Sequence, residues 1–335
     1  MILSERVPWD ENEWKEILRR SVRDADTLRT KLDLRPEQTA WLDHSNFSVF
    51  VPLPYLSRIE PGNPADPLLL QVAPSVLEQQ EVDGYSTDPL GERNSAASRV
   101  LQKYSGRLLY IAASACPIHC RYCFRRHFPY DDHESASVES LLAALSKDKS
   151  IFEVILSGGD PLLLSDCSLK KLVSEISAVP HVRTIRIHTR FAVVLPQRVT
   201  TQLLEALRDE RLNIVVVIHA NHPNELDMNV ELAIKAFKST DVTLLNQSVL
   251  LKGVNDSATV LKQLSWKLFR IGVLPYYLHL LDKVTGTSHF DLPEEQALSI
   301  FRTLQSSVPG YLAPRLVREI PGRGSKTLVN AGTVS

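Results

Sequence analysis

From Leu108 onward, short apolar runs rich in β-branched and aromatic residues alternate with longer stretches whose apolar positions recur every three or four residues. The short runs are LLYIAAS (108–114), FEVILSG (152–158), TIRIHT (184–189), NIVVVIHA (213–220), VTLLNQSV (242–249) and LPYYLHLL (274–281). Their length and composition predict strands. VESLLAALSKD (138–148), CSLKKLVSEISAV (167–179) and TTQLLEALRDE (200–210) lie between them and predict amphipathic helices. Six β–α units at intervals of roughly 30 residues predict a parallel sheet with right-handed crossovers.

Polar residues gather where these strands end. Cys116 follows the first, Gly158-Gly159-Asp160 the second, Thr189-Arg190 the third and His219-Ala220-Asn221-His222 the fourth. Asn246 and Gln247 lie in the fifth, and Asp282 follows the sixth. Barrel enzymes draw their sites from many strand ends at once, whereas a doubly wound sheet concentrates its site at one switch point. The expected fold is therefore α/β, a partial (βα)6 TIM-like barrel. Residues 1–95 form a helical and irregular extension ahead of it. Within this extension residues 1–40 read as polar and helical, VPLPYLSRIEPGNPADPLLLQV (51–72) is broken by prolines, and DGYSTDPLGERN (83–94) reads as an ordered loop. The barrel spans 96–310, and a C-terminal segment covers 311–335.

Composition narrows the class. The chain has 335 residues, 44% hydrophobic and 23% charged, which is ordinary for a globular protein. A net charge of −1 argues against general affinity for nucleic acid or anionic membrane. The first twenty residues carry charges throughout, and the longest apolar run, Ile214 to Ile218, is too short to cross a bilayer. A cytoplasmic location is expected. Three of the four cysteines fall within CPIHCRYC (116–123), a poor disulfide framework but a plausible ligand set in a reducing compartment.

Three readings of Cys116, Cys120 and Cys123 compete. A structural zinc site would need a fourth ligand, for which His119 and His127 are the neighbours. Core packing is a second reading. An iron–sulfur cluster held by three thiolates is the third, and it leaves one iron open to a further ligand. Near the C-terminus, LVREIPGRGSKTLVN (316–330) sets Lys326 after a glycine-rich turn. That lysine is either a solvated charge or an amine for a carbonyl cofactor.

The cysteine spacing after the first strand, with SGGDP after the second, resembles the radical S-adenosylmethionine (SAM) enzymes. GNPADPLLLQV, DPLGE, CRYCFRRHF, ILSGGDPL, LPQRVT, HANHPNE, TLLNQSVLLKGVND, PYYLHLLDKVTGTSHF and PGRGSKT together resemble the lysine 2,3-aminomutase family from about residue 50 onward. RYCFRRHFPY, LNQSVLL and YYLHLLDKV resemble its shorter bacterial branch, which supplies β-lysine for modification of translation elongation factor P. The resemblance implies an isomerase that converts L-lysine to β-lysine. The implied cofactors are a 4Fe-4S cluster, SAM and pyridoxal phosphate, with an external electron donor of flavodoxin or ferredoxin type. It further implies a functional link to a lysyl-transferase acting on elongation factor P.

Roles follow residue by residue. Cys116, Cys120 and Cys123 would ligate the cluster, and Lys326 would carry pyridoxal phosphate, with Tyr104 and Arg107 near it. Gly158, Gly159, Asp160, Arg190, His219 and Gln247 would contact SAM or the space between the cofactors. Arg125 would clamp the substrate carboxylate. Asp282 and Glu319 would receive the side-chain ammonium, with Glu319 standing where lysine-degrading members carry aspartate. Longer members bind an intersubunit zinc through additional C-terminal cysteines, and here the further thiol is Cys167 alone, so that zinc is not expected. A catabolic or osmolyte-forming mutase is the alternative within the family, and a non-catalytic zinc scaffold is the alternative outside it.

Overall fold

The computed structural model describes residues 9, 11–42, 47–93, 99–130 and 138–330. Among these residues nine strands form one sheet in strictly sequential order. They are β1 (Val100–Tyr104), β2 (Arg107–Ala113), β3 (Glu153–Gly158), β4 (Thr184–Thr189), β5 (Asn213–His219), β6 (Thr243–Val249), β7 (Leu274–His279), β8 (Arg315–Arg318) and β9 (Thr327–Leu328). Neighbours from β2 to β8 are parallel, while β1 on β2 and β9 on β8 are antiparallel. The ends do not meet, so the sheet is a curved, open barrel segment. Sequential order is what single winding produces; a doubly wound sheet would reverse part-way.

All six strands expected from apolar periodicity are present. The flanking strands escaped it because β1 and β8 are short and carry charged residues, as in VLQKY and RLVR, and β9 is only two residues long. The sheet therefore runs on into the C-terminal segment, where residues 331–335 lie outside the described residues.

Helices cover the outer face, and the starts of four of them are capped by side chains. Ser165, Thr200, Asp227 and Ser257 each accept a bond from a backbone N–H in the first turn of the helix that follows. The helix Ala258–Ile271 ends at Gly272 with φ of 90°, a conformation that only glycine adopts without strain.

The N-terminal region is less helical than expected. Helices Glu11–Arg19 and Ala25–Lys31 are separated by an extended link in which Val22 pairs with Val51. Residues 1–8 and 10 lie outside the described residues. Trp14, Leu28, Val51, Tyr55 and Leu68 share one apolar core with barrel residues such as Val154, Ile187 and Phe191. Arg198, fully buried, stacks its guanidinium 4.8 Å from the Trp14 ring.

Candidate active site

The cysteine loop follows β2 and is held from outside by the N-terminal region. Arg121 donates its backbone N–H to the Gln71 carbonyl at 2.8 Å, and His119 does so to Phe50 at 3.0 Å. The Arg121 guanidinium is fully buried on the Glu78 carboxylate, which also pairs with Arg126. Burial raises the pKa of all three thiols, Cys123 to about 11, so they are neutral in the metal-free chain. All three line one cavity. Among the described residues, no three His, Cys, Asp or Glu side chains are arranged around a single ion.

The loop after β3 lies directly on this one. The Gly159 N–H donates to the Ala113 carbonyl at 2.7 Å, and that of Asp160 to Ala115 at 2.8 Å. A Cβ on Gly159 would run into the Ala115 backbone, and one on Gly158, whose φ is 121°, into the Ala113 carbonyl. The glycine pair is thus demanded first by contact between two strand-end loops, before any approach to a ligand.

Two residues expected to contact SAM are occupied by the scaffold. The buried Asp160 carboxylate accepts bonds from the backbone N–H groups of Leu162, Arg190 and Phe191 and from the Thr189 hydroxyl. Burial still pushes it up to about 6. Arg190 donates to the Tyr122 hydroxyl at 2.7 Å and to Gln71 at 3.2 Å, and pairs with Glu225 at 3.1 Å. Both line the cavity, yet these contacts tie β3, β4 and the N-terminal region together. His219 and Gln247, at the ends of β5 and β6, meet at 2.7 Å. Burial, with Arg190 and Lys326 nearby, depresses His219 to about 3 and keeps it neutral.

The opposite end of the cavity carries alternating charges. Arg125 donates through Nε and Nη2 to both oxygens of Glu92, at 2.7 and 3.2 Å, and through Nη1 to Ser157 at 3.0 Å. Glu92 also pairs with Lys103 at 2.6 Å, Lys103 lies 4.0 Å from Glu319, and Glu319 pairs with Lys326 at 2.7 Å. Burial would raise the Glu92 carboxyl, but Arg125 and Lys103 hold it down to about 2. The Tyr104 hydroxyl donates to Glu319, and the Arg107 guanidinium stacks on the Tyr104 ring at 4.5 Å.

Glu319, expected with Asp282 to receive the substrate ammonium, is paired here with Lys326 and Tyr104. Its extra methylene lets it reach both Lys326 and Tyr104. Asp282 is different: among the described residues no side chain bonds to its carboxylate, and burial raises it to about 7.

All fifteen residues singled out in the sequence line this one cavity. Glu92, Lys103, Gln71, Glu78, Tyr122 and Glu225 were missed. DPLGE carried the signal for Glu92, but nothing in the sequence joins it to an arginine far along the chain.

A family model described as the radical SAM superfamily matches residues 110–260. The chain is 47% identical over 329 residues to "L-lysine 2,3-aminomutase" of Haemophilus influenzae, covering 97% of each chain. It is 42% identical to the protein of that name from Escherichia coli, covering 94% of each. The Clostridium subterminale protein is 34% identical, over 96% of this chain and 78% of its own length. Likeness at this identity and near-full coverage, with the radical SAM match on β2 to β6, places the chain in the L-lysine 2,3-aminomutase family of radical SAM isomerases.

Proposed function

We propose that this protein converts L-lysine to β-lysine with SAM, a 4Fe-4S cluster and pyridoxal phosphate. One observation carries the reading: three thiols, a lysine amine, an arginine fork and one unpaired carboxyl share a single cavity. When bound, the cluster and SAM supply a 5′-deoxyadenosyl radical, and pyridoxal phosphate supplies a carbonyl and an extended π system.

The chain's own residues then divide the work. Cys116, Cys120 and Cys123 hold the cluster as thiolates and release their protons on binding it. Gly158 and Gly159 let the end of β3 pack against the loop that would carry the cluster. Lys326 offers its amine to the pyridoxal carbonyl, and Glu319 holds the proton of that amine 2.7 Å away. Tyr104 and the cation stacked on it, Arg107, bound the cofactor on the β1–β2 side. Arg125 presents a guanidinium anchored by Glu92 and Ser157 to the substrate carboxylate. Asp282 takes the side-chain ammonium, which replaces its proton and satisfies the one unpaired carboxyl at the cavity wall. His219 and Gln247 supply uncharged polar surface between the cofactor sites. The enclosing strands exclude water from reactive intermediates.

The product is assigned to a lysyl-transferase that modifies elongation factor P, and the reducing electron to an external flavodoxin- or ferredoxin-type donor. A cytoplasmic setting suits both, and no helix among the described residues is long and apolar enough to cross a membrane.

Anaerobic reconstitution with iron, sulfide and pyridoxal phosphate, followed by SAM, dithionite and L-lysine, tests the reading. β-Lysine on chiral chromatography, absent from a Cys120→Ala variant, supports it. A loaded protein that makes no β-lysine refutes the substrate. Lys326→Ala should lose borohydride-trapped pyridoxyl label, and persistent labelling elsewhere would overturn that assignment. Transfer of the product to elongation factor P in a coupled assay tests the downstream role.

A further inference from the structure

The wall that carries Asp282 is thin. The reaction cavity, about 270 Å³, shares Leu90, Leu281, Asp282 and Glu319 with a second cavity of about 700 Å³. The second cavity lies between the loop at Gly84–Leu90, the segment after β7 and Arg318 at the end of β8. Its acidic groups are Asp282, Asp291, Glu294 and Glu319, against Lys283 and Arg318. Two of those acids are already engaged, Asp291 by the Tyr85 hydroxyl at 2.7 Å and Glu294 by Arg318 at 2.7 Å. Glu319 is held by Lys326 and Tyr104. Asp282, standing on the boundary, is the carboxyl left to meet a cation from either side.

We propose that the active site accepts lysines whose side-chain nitrogen bears a further substituent while keeping its positive charge, the substituent passing Asp282 into the second cavity. The inference rests on the reading of Asp282 as the ammonium site. A closed pocket fitted to lysine would reject even one added methyl group by steric overlap. Here a cavity with room for added methyl groups lies beyond the boundary, and its formal charge balance favours a cation. A secondary or tertiary ammonium keeps an N–H for the Asp282 carboxylate and directs its alkyl groups outward past Leu90 and Leu281. An ε-acylated lysine offers the Asp282 carboxylate only a neutral amide N–H and no compensating charge, so it is disfavoured.

The experiment uses the full chain loaded with pyridoxal phosphate, without reductant, so that binding is read without turnover. L-Lysine, Nε-methyl-L-lysine, Nε,Nε-dimethyl-L-lysine, Nε-acetyl-L-lysine and L-norleucine are titrated against the pyridoxal absorbance band. The two methylated lysines are expected within about fivefold of L-lysine, with the acetyl compound and norleucine at least tenfold weaker. A Ser86→Trp variant, which fills the second cavity, should weaken the dimethyl compound at least ten times more than L-lysine. Methylated lysines bound more than tenfold weaker than L-lysine overturn the proposal, as does a Ser86→Trp effect that is equal on all ligands or absent. If Asp282→Asn binds L-lysine and norleucine with their wild-type ratio, the ammonium assignment fails and takes this inference with it. If that ratio collapses while the methylated lysines are rejected, the assignment stands and the inference alone is wrong.

Discussion

At the scale of single residues, what distinguishes this cavity is which charged groups are already paired. Arg125, Glu92, Lys103, Glu319 and Lys326 form a series in which each charge has an opposite neighbour. Asp282 stands outside it, and its behaviour with pH follows. Its folded pKa of about 7 lies above the ordinary carboxylate value, so the acid is protonated at lower pH and must ionise to hold a cation. The preference for L-lysine over L-norleucine should therefore rise by up to about tenfold per pH unit below 7 and level off above it. Asp282→Asn should show no such rise. Binding titrations at several pH values check both, and a preference in the wild type that does not change with pH counts against the assignment. Glu92 offers a second test. Removing its charge leaves the buried Arg125 without its carboxylate and Lys103 with Glu319 alone, 4.0 Å away. Glu92→Gln should lower stability by about 3–5 kcal/mol, as breaking one side of a buried pair generally does. Denaturant unfolding measures this, and a loss below about 1 kcal/mol would show the pair to be dispensable.

At the scale of elements, the site is a contact between loops. The cysteine loop after β2 is braced below by Gly158 and Gly159 and behind by Glu78 and Gln71. Gly159→Ala would push a methyl group into the Ala115 backbone, which cannot move without carrying Cys116 with it. The expected result is several-fold less iron per chain after reconstitution, read by iron analysis, with the fold retained by circular dichroism. Glu78→Ala acts on the same loop from the other side. It removes the carboxylate from a fully buried arginine, which keeps its bond to the Phe47 carbonyl, and a loss of about 3–5 kcal/mol is expected from breaking one side of a buried ion pair. Cluster yield should fall with it, whereas normal iron content in a destabilised protein would show that the brace serves folding alone.

At the scale of the whole molecule, the extension before β1 is part of the core. Its apolar side chains sit in the same cluster as those of β3, β4 and the segment Phe191–Val194. Arg58 bonds across to the Val193 carbonyl at 2.7 Å and to the Glu225 carbonyl. A chain beginning at Arg99 should therefore give no soluble protein, because it exposes that apolar face, and soluble yield after expression checks it. The strand order, the positions of the six central strands and the residues gathered at their ends were legible in the linear pattern. Strand periodicity, helix amphipathicity and cysteine spacing are local properties, and a sequential βα repeat leaves few ways to wind. The flanking strands were not legible, since runs as short as VLQKY and RLVR acquire strand character only from the neighbour they pair with. Nor were the partners of the charged residues. The family resemblance brought Asp160, Arg190 and Glu319 forward as ligand contacts, but only the folded chain sets Asp160 on three backbone N–H groups and Glu319 on Lys326. The linear pattern by itself determined which chemistry the chain carries and on which rim. Tertiary structure decided which of those groups remain unpaired, because pairing depends on distances between residues far apart in sequence.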